Sequence, residues 1–316
     1  MNTPYISICI PAYKRVAYLK RLLDSISVQT YTNYEVIITD DSPTENVLDF
    51  IKNYKSIQTI FYFKNSFNAG TPENWNESIS KAKGNWIKLM HDDDWFASPD
   101  SLQLFYNATL SSNNCPFIFC AYNNVLENSE KKTAKLLNPI EKFLLNQSPL
   151  NLFKKQFIGP PSCTLIRSDI HFLYDKQFKW VVDFEYYIRC LQKVKKNYYI
   201  NKPLINIGVH SEQVTTYSFN NPEVVIPENH IMIEKLGFYI LRNIFVYDYY
   251  WRMYRNLKIR SVDTIQKYWH KPIHPLLKQM ISSQKKMPIR LLQFGLFSKA
   301  FMFCNYFLSL FKRLQF

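Results

Sequence analysis

The feature that most restricts how this chain can fold is a fourfold alternation of strand-like and helix-like patterns in the first 95 residues, each strand closed by a polar cluster. Tyr5 to Ile10 alternates and is β-branched, and Pro11 is expected to stop it. Leu19, Leu22, Leu23 and Ile26 then recur at helical spacing on one face. Val36–Ile38 reads as a second strand, residues 43–54 as a helix and Ile57 to Phe63 as a third strand. Thr71 is expected to cap a helix with Pro72 in its first turn and Trp75, Ile79 and Ala82 on one side, and Gly84 ends it before a strand at Ile87–Met90. Such alternation predicts an α/β fold: a mostly parallel central sheet flanked by helices, with right-handed crossovers. The closing clusters are Tyr13 with Arg15, Asp40 with Asp41, Asn65 with Asn68, and Asp92 to Asp94. Parallel strands put all four on one edge, where open α/β sheets bind ligands.

The last cluster carries the chemistry. An apolar run stops at three consecutive carboxylates, which no interior holds without something to neutralise them. Three Asp in a row also suit a solvated loop or a helix start, and Ser98-Pro99-Asp100 looks like the cap of the next helix. Placement beside three other polar clusters favours a site for Mg²⁺ or Mn²⁺, which reach proteins through one or two carboxylates while substrate phosphate completes the shell.

Beyond residue 95 the pattern loosens. A helix is expected over Ser101–Leu110, a strand over Phe117–Val125, a loop over 127–140 and a turn at Phe157–Ser162 before a strand at Cys163–Arg167. Asp183 to Lys193 reads as a helix, followed by strands at Tyr198–Ile200 and Leu204–Ile207; from Pro222 onward only helices are expected. A chain of 316 residues, 47% hydrophobic and with six glycines, can bury a real core and has little linker character. Its six cysteines form no C-x-x-C pair, and a strand pattern begins at Tyr5 with no secretory signal ahead of it, so a reduced, cytoplasmic protein is expected. Basic charge is concentrated in the tail: residues 251–316 carry 13 Lys/Arg against one acid, Asp263, leaving 26 basic and 24 acidic side chains before them.

Four segments resemble the family 2 glycosyltransferases of GT-A fold, a likeness running over roughly residues 4–215. Ile6 to Arg15 is similar to the family's opening strand and P-x-Y-N-R turn, with Lys14 where Asn is usual. Glu35 to Ser42 resembles E-V-I-V-V-D-D-G-S; Asn68-Ala69-Gly70 with Asn76, Ile79, Ala82 and Gly84 fits N-x-G…N-x-G-I-x-x-A-x-G; His91 to Asp94 stands where the family has D-x-D-D. The resemblance implies that Asp41 accepts a hydrogen bond from the nucleotide base, framed by Pro11 and Tyr13 with Arg15 nearby. Asn68, Gly70 and Asn76 belong to the same nucleotide-sugar site. It also implies that Asp92 contacts the ribose and that Asp93 and Asp94 hold the metal. Trp180 to Arg189 resembles E-D-Y-x-L-W-L-R, which makes Asp183 the general base, with Glu185 as fallback and a helix N-cap as the competing role. Val209 to Thr215, with Gln213, resembles a late H-x-x-Q-x-S/T loop whose His210 closes over metal or diphosphate. Trp75 where many members have Arg, and Ser78 for a common Gly, are departures. Gly159 to Ser162 and Arg167 are expected, from position, on the acceptor side.

The implied reaction is inverting sugar transfer from a nucleotide sugar, by family preference a UDP-hexose, to a lipid-linked oligosaccharide or other glycan such as bacterial O-antigen, capsule or lipooligosaccharide. The division expected is a catalytic domain over 1–220, with a nucleotide-sugar half to about 95 and an acceptor half from 96, and a helical extension over 221–316. Other readings are a nucleotidyltransferase, though Pro11 to Arg15 lacks the glycines of a phosphate loop, and an inactive nucleotide-sugar-binding module.

In the tail, Ser298, Asn305, Ser309 and Lys312 fall on a narrow helical stripe, with Leu296, Phe297, Phe301, Phe303, Phe307, Leu308, Leu310 and Phe311 over the rest. Lys299, Lys312 and Arg313 argue against a bilayer crossing. An interfacial helix on the anionic inner face of the cell membrane is expected; the alternatives are packing on the catalytic domain or on a second copy in a homodimer. With no RNA-binding signature, nucleic acid is not an expected partner.

Overall fold

The computed structural model describes residues 4–127, 131–170, 172–210 and 220–313. The chain forms two compact units, Met1–Asn146 with Phe157–Glu212 and Gln147–Gln156 with Gln213–Phe316.

The first unit is built on a sheet of nine strands: β1 Ile6–Ala12, β2 Tyr34–Asp40, β3 Ile60–Lys64, β4 Trp86–Leu89, β5 Trp95–Phe96, β6 Phe117–Leu126, β7 Lys132–Lys135, β8 Thr164–Arg167 and β9 Tyr198–Val209. Their order is β3-β2-β1-β4-β8-β6-β9-β5, with β7 paired to β6. The first four strands are parallel, as the alternation predicts, and their crossovers carry α1 Val16–Ser27, α2 Asn46–Asn53 and α3 Glu73–Ser80. All seven residues of β1 are buried, and Leu19, Leu22, Leu23 and Ile26 turn the apolar face of α1 onto the same core. β8 then runs antiparallel to both β4 and β6, and β6 is parallel to β9. Two reversals restore the original direction, so β9 also ends on the edge where β1 to β4 end. The remaining helices of this unit are α4 Ser101–Ser111, α5 Pro139–Gln147 and α6 Val182–Val194.

Several boundaries differ from expectation for identifiable reasons. Pro11 does not stop β1: pairing with β4 ends at Cys9, and Pro11, two residues on and facing the same side, has no ladder bond to lose there. Thr71 does not cap α3; Pro72 occupies the cap without a side-chain bond, and Gly70, at φ +73°, turns the chain so that its carbonyl accepts Asn74 N–H at 2.8 Å. The expected loop at 127–140 contains β7 and the start of α5; all four β7 residues are exposed, so no apolar alternation announces it. The two strands expected near 198–207 are one strand, β9, with an irregular register against Cys120 and Ala121.

The second unit is helical: α7 Pro222–Leu236, α8 Ile244–Asn256, α9 Val262–Gln266, α10 Pro275–Lys286, α11 Ile289–Gln293 and α12 Gly295–Arg313. It also takes in residues 147–156, where Phe153 packs edge-on to Tyr249 with ring centroids 5.1 Å apart. Among the described residues no helix is long and apolar enough to cross a membrane.

The orientation of α12 is the reverse of what a core helix does. Its polar stripe is inside: Ser298, Asn305 and Ser309 are buried, and Ser298 Oγ accepts from Trp251 Nε1 at 3.1 Å and Arg255 Nη1 at 3.3 Å. Although Met302 and Tyr306 are buried, several of its apolar residues are outside: Leu296 is 74% exposed, Phe297 54%, Phe307 52% and Leu308 58%. The side chains of Phe311 and Lys312 lie outside the described residues.

Candidate active site

The parallel strands deliver their polar ends to one edge. After β4, Met90 N–H still reaches Cys9 O at 2.9 Å, and His91 N–H donates to Ser162 Oγ at 3.0 Å, fixing where the acidic run begins. Asp92, Asp93 and Asp94 are then 3%, 7% and 2% exposed: this is no solvated loop.

Partners are shared unequally among the three carboxylates. Arg15 donates to Asp92 Oδ1 at 2.5 Å and to Asp93 Oδ2 at 3.3 Å. His210, delivered by the end of β9, places Nε2 2.8 Å from Asp93 Oδ2 and 3.3 Å from Arg15 Nη1. Arg21 donates to the Asp93 carbonyl at 2.7 Å and stacks 3.8 Å over Trp95. Asp94 Oδ1 accepts a long bond from Gly208 N–H, 3.3 Å, and its Oδ2 is buried with no hydrogen-bond partner. A side chain on Gly208 would meet Asp93 O at 2.6 Å, so the close approach of β9 to the acidic run needs glycine there. The Nε2 atom of His91 is likewise buried without a partner, and the ligand atoms of His91, Asp93 and Asp94 lie within 4.8 Å of one another.

The electrostatics follow from this division. Burial raises the Asp92 carboxyl to about 7 despite Arg15. Burial acts the same way on Asp93, but His91, Arg15 and His210 outweigh it and hold that carboxyl below the usual range. Burial, with Asp93 next door, pushes Asp94 well above it. Burial also lowers the His91 imidazole to about 4, leaving it neutral at physiological pH. A neutral imidazole and a buried carboxyl group with an unpartnered oxygen are a donor set a divalent cation takes up, so these residues fit the metal expected from the sequence.

At the ends of β2 and β3 the structure closes a loop. Asp41 Oδ1 accepts from Asn65 Nδ2 at 2.5 Å and Ala69 N–H at 3.3 Å, and Oδ2 from Gly70 N–H at 2.7 Å. Asp40 is buried and held by Tyr62 Oη at 2.7 Å and Lys64 Nζ at 3.0 Å. Pro11 is buried beside this loop's strand, while Tyr13, 39% exposed, and Asn68 stand open. Asn76 spends both ends of its amide on the backbone of Tyr174, 2.8 Å each way.

Asp183 lies in the first turn of α6, with Val181 rather than Asp183 at the cap and Asp183 Oδ1 accepting from Phe184 N–H at 2.8 Å. Tyr174, within electrostatic reach of Asp183, meets Trp75 edge-on at 5.1 Å, and Trp75 packs on His91 at 4.7 Å. Asp183 is thus linked to the acidic run through two aromatic rings of the same unit. Glu185 is buried in a two-pronged pair with Arg189 at 2.8 and 2.9 Å, a structural bond. Arg167 is not on the acceptor side: it pairs in register with Trp86, at the start of β4, on the opposite edge. Residues 211–219, with the Gln213 and Thr215 of the late loop, lie outside the described residues.

Sequence reasoning passed over Arg21, Gly208 and Lys88. Lys88 is fully buried, with Nζ donating to Ser162 O and lying 4.8 Å over Phe105; burial lowers its pKa to about 8. An amine inside an otherwise apolar strand was the available signal.

An α/β sheet whose parallel half gathers buried carboxylates on one edge, joined by a histidine from the last long strand, has the architecture of the GT-A glycosyltransferases. The profile described as glycosyl transferase family 2 matches residues 7–172, just over half of the chain, and the chain belongs to that family and is a glycosyltransferase. It is 25% identical over 226 residues to an uncharacterized glycosyltransferase of Rickettsia typhi, covering 70% of this chain and 69% of that one. Over 124 residues it is 30% identical to a hyaluronan synthase of Pasteurella multocida, 39% of this chain and 13% of that protein. Among solved structures, the fold matches S. aureus TarS 1–349 in complex with UDP-GlcNAc at TM-score 0.62 and 13% identity, covering 96% and 89% of the two chains. The mannosyltransferase PcManGT of Pyrobaculum calidifontis, in complex with GDP-Man and Mn²⁺, matches at TM-score 0.55 and 10% identity over 99% and 88%.

Proposed function

We propose that the protein transfers a hexose from a UDP-sugar, with inversion, to a hydroxyl of a lipid-linked surface glycan at the inner face of the bacterial membrane. The observation that carries this reading is the unequal partnering of the acidic run: Asp92 and Asp93 are paired with Arg15, whereas Asp94 is buried with an oxygen left over. Asp93 and Asp94, with His210 against Asp93, would hold a divalent cation, which when bound offsets the charge on the diphosphate as it leaves. Asp92 and Arg15 meet the ribose side. Tyr13 and Pro11 flank the base, and the loop drawn in by Asp41, including Asn68 and Gly70, walls it. Asp183 accepts the acceptor hydroxyl's proton as that oxygen attacks the anomeric carbon and the glycosyl–phosphate bond breaks; no protein nucleophile is needed. UDP as the nucleotide is supported by the TarS complex, and a polymeric glycan acceptor by the hyaluronan synthase relative.

The lipid surface enters through α11 and α12. Their outward Ile289, Leu291, Phe294, Phe297, Phe303 and Phe307 form an apolar face with exposed Lys285, Lys286, Arg290 and Lys299 nearby. Apolar burial plus about 1 kcal/mol per basic residue near an anionic surface favours lipid as its cover. The test is product formation by the purified protein with UDP-, GDP-, dTDP- and CMP-sugars in the presence of Mn²⁺. Turnover only with a UDP-sugar is expected; turnover only with another nucleotide, or with none, contradicts the proposal.

A further inference from the structure

His91 precedes the acidic run and is given no role in the transfer proposed above, yet its side chain is built into place. Its backbone is tied to Ser162, and its ring is stacked at 37° and 4.7 Å on Trp75, which Tyr174 in turn supports from the edge. Its Nδ1 lies 3.9 Å from Asp94 Oδ2, and both that oxygen and His91 Nε2 are buried without a hydrogen-bond partner. Two ligands each about 2.1–2.2 Å from one ion lie no more than about 4.4 Å apart, so this pair already has a shared-ligand spacing. The full triangle of His91, Asp93 and Asp94, within 4.8 Å, closes with a shift of a few tenths of an ångström. His210 is placed differently: its Nε2 is already engaged by Asp93 Oδ2 at 2.8 Å and Arg15 Nη1 at 3.3 Å.

We infer that His91 supplies an imidazole nitrogen to the divalent cation held by Asp93 and Asp94. Trp75 holds the ring in the ligating orientation, as outer-shell partners of metal-bound histidines do. The inference rests on the metal-assisted reading of the site, but its test does not depend on turnover.

The test is pulsed electron paramagnetic resonance of the full chain loaded with Mn²⁺ and UDP, which detects ¹⁴N bound to the ion, with ¹⁵N-histidine labelling to identify its source. A histidine nitrogen coupling is expected in the wild type, and one nitrogen is expected to vanish in His91→Phe, which keeps a ring against Trp75. Loss of even an outer-shell partner costs about 10- to 100-fold in metal affinity, and Mn²⁺ affinity is expected to fall at least that much in that variant. Bound Mn²⁺ without histidine coupling in the wild type, or a coupling unchanged in His91→Phe, overturns the inference while leaving the metal-assisted reading standing. The wild-type spectrum decides this even should the variant fold poorly. Failure of Mn²⁺ to bind at all, with or without UDP, overturns both.

Discussion

The acidic edge of the first unit and helix α12 of the second both put side chains where their polarity does not belong, and they differ in what is left unsatisfied. At the edge, charged groups are buried and Asp94 Oδ2 has no hydrogen-bond partner. On α12, the buried polar stripe is fully employed, Ser298 by Trp251 and Arg255, and the unsatisfied surface is the exposed apolar one. A buried polar atom without a partner costs about 1–3 kcal/mol, and an apolar patch held in water costs by its area. On the proposed reading an ion removes the first cost and lipid the second. The contrast teaches that a misplaced group points to a ligand only once its own hydrogen bonds have been accounted for.

Substitutions can break this comparison. The largest effect is expected from Asp183→Asn: a fall in kcat of about 10²–10⁴ with unchanged thermal stability, because the proposed general base is lost and the fold is not. Asp94→Asn is expected to lower transfer by about 10²–10³ while Tm holds or rises, since a poorly partnered buried charge is removed. A large loss of stability there would instead make Asp94 a structural residue. On α12, Phe297→Ser with Phe307→Ser is expected to weaken co-sedimentation with anionic vesicles more than tenfold, with stability changed by about 0.5 kcal/mol or less per site. Ser298→Val is expected to do the opposite, leaving vesicle binding intact and costing about 1–3 kcal/mol of stability, because Trp251 and Arg255 lose their acceptor.

The smallest effect concerns pH. Burial lowers His230, which meets Tyr254 Oη at 3.1 Å, to about 4, against 6.5 for a free imidazole. Between those values the unfolded chain binds a proton that the folded chain does not, so this histidine's contribution is full above pH 6.5 and is lost as pH falls toward 4. His230→Gln is expected to flatten that part of the Tm-against-pH curve; an identical slope in both proteins would contradict it.

The parallel half of the fold was legible because buried strands and helices write their periodicity in apolar residues, as Leu19 to Ile26 do on α1. β7 was not, since an all-exposed strand has no such pattern, and two-residue β5 is too short to have one. In the site, the acidic run was legible as charge where a strand ends. Gly208 was not, because it reaches the run only through the reversals of β8 and β6. On α12 the helical wheel revealed the polar stripe but not its direction, which is set by hydrogen bonds from Trp251 and Arg255 more than 40 residues away in sequence.

The central claim is that the acidic run takes up a cation together with the diphosphate of a nucleotide. Calorimetric titration of UDP into the protein, with Mn²⁺ and again with a chelator, tests it most directly. The account predicts that removing the metal weakens UDP binding by at least about tenfold, and that Asp94→Asn abolishes the difference. Equal affinity in both conditions would contradict it.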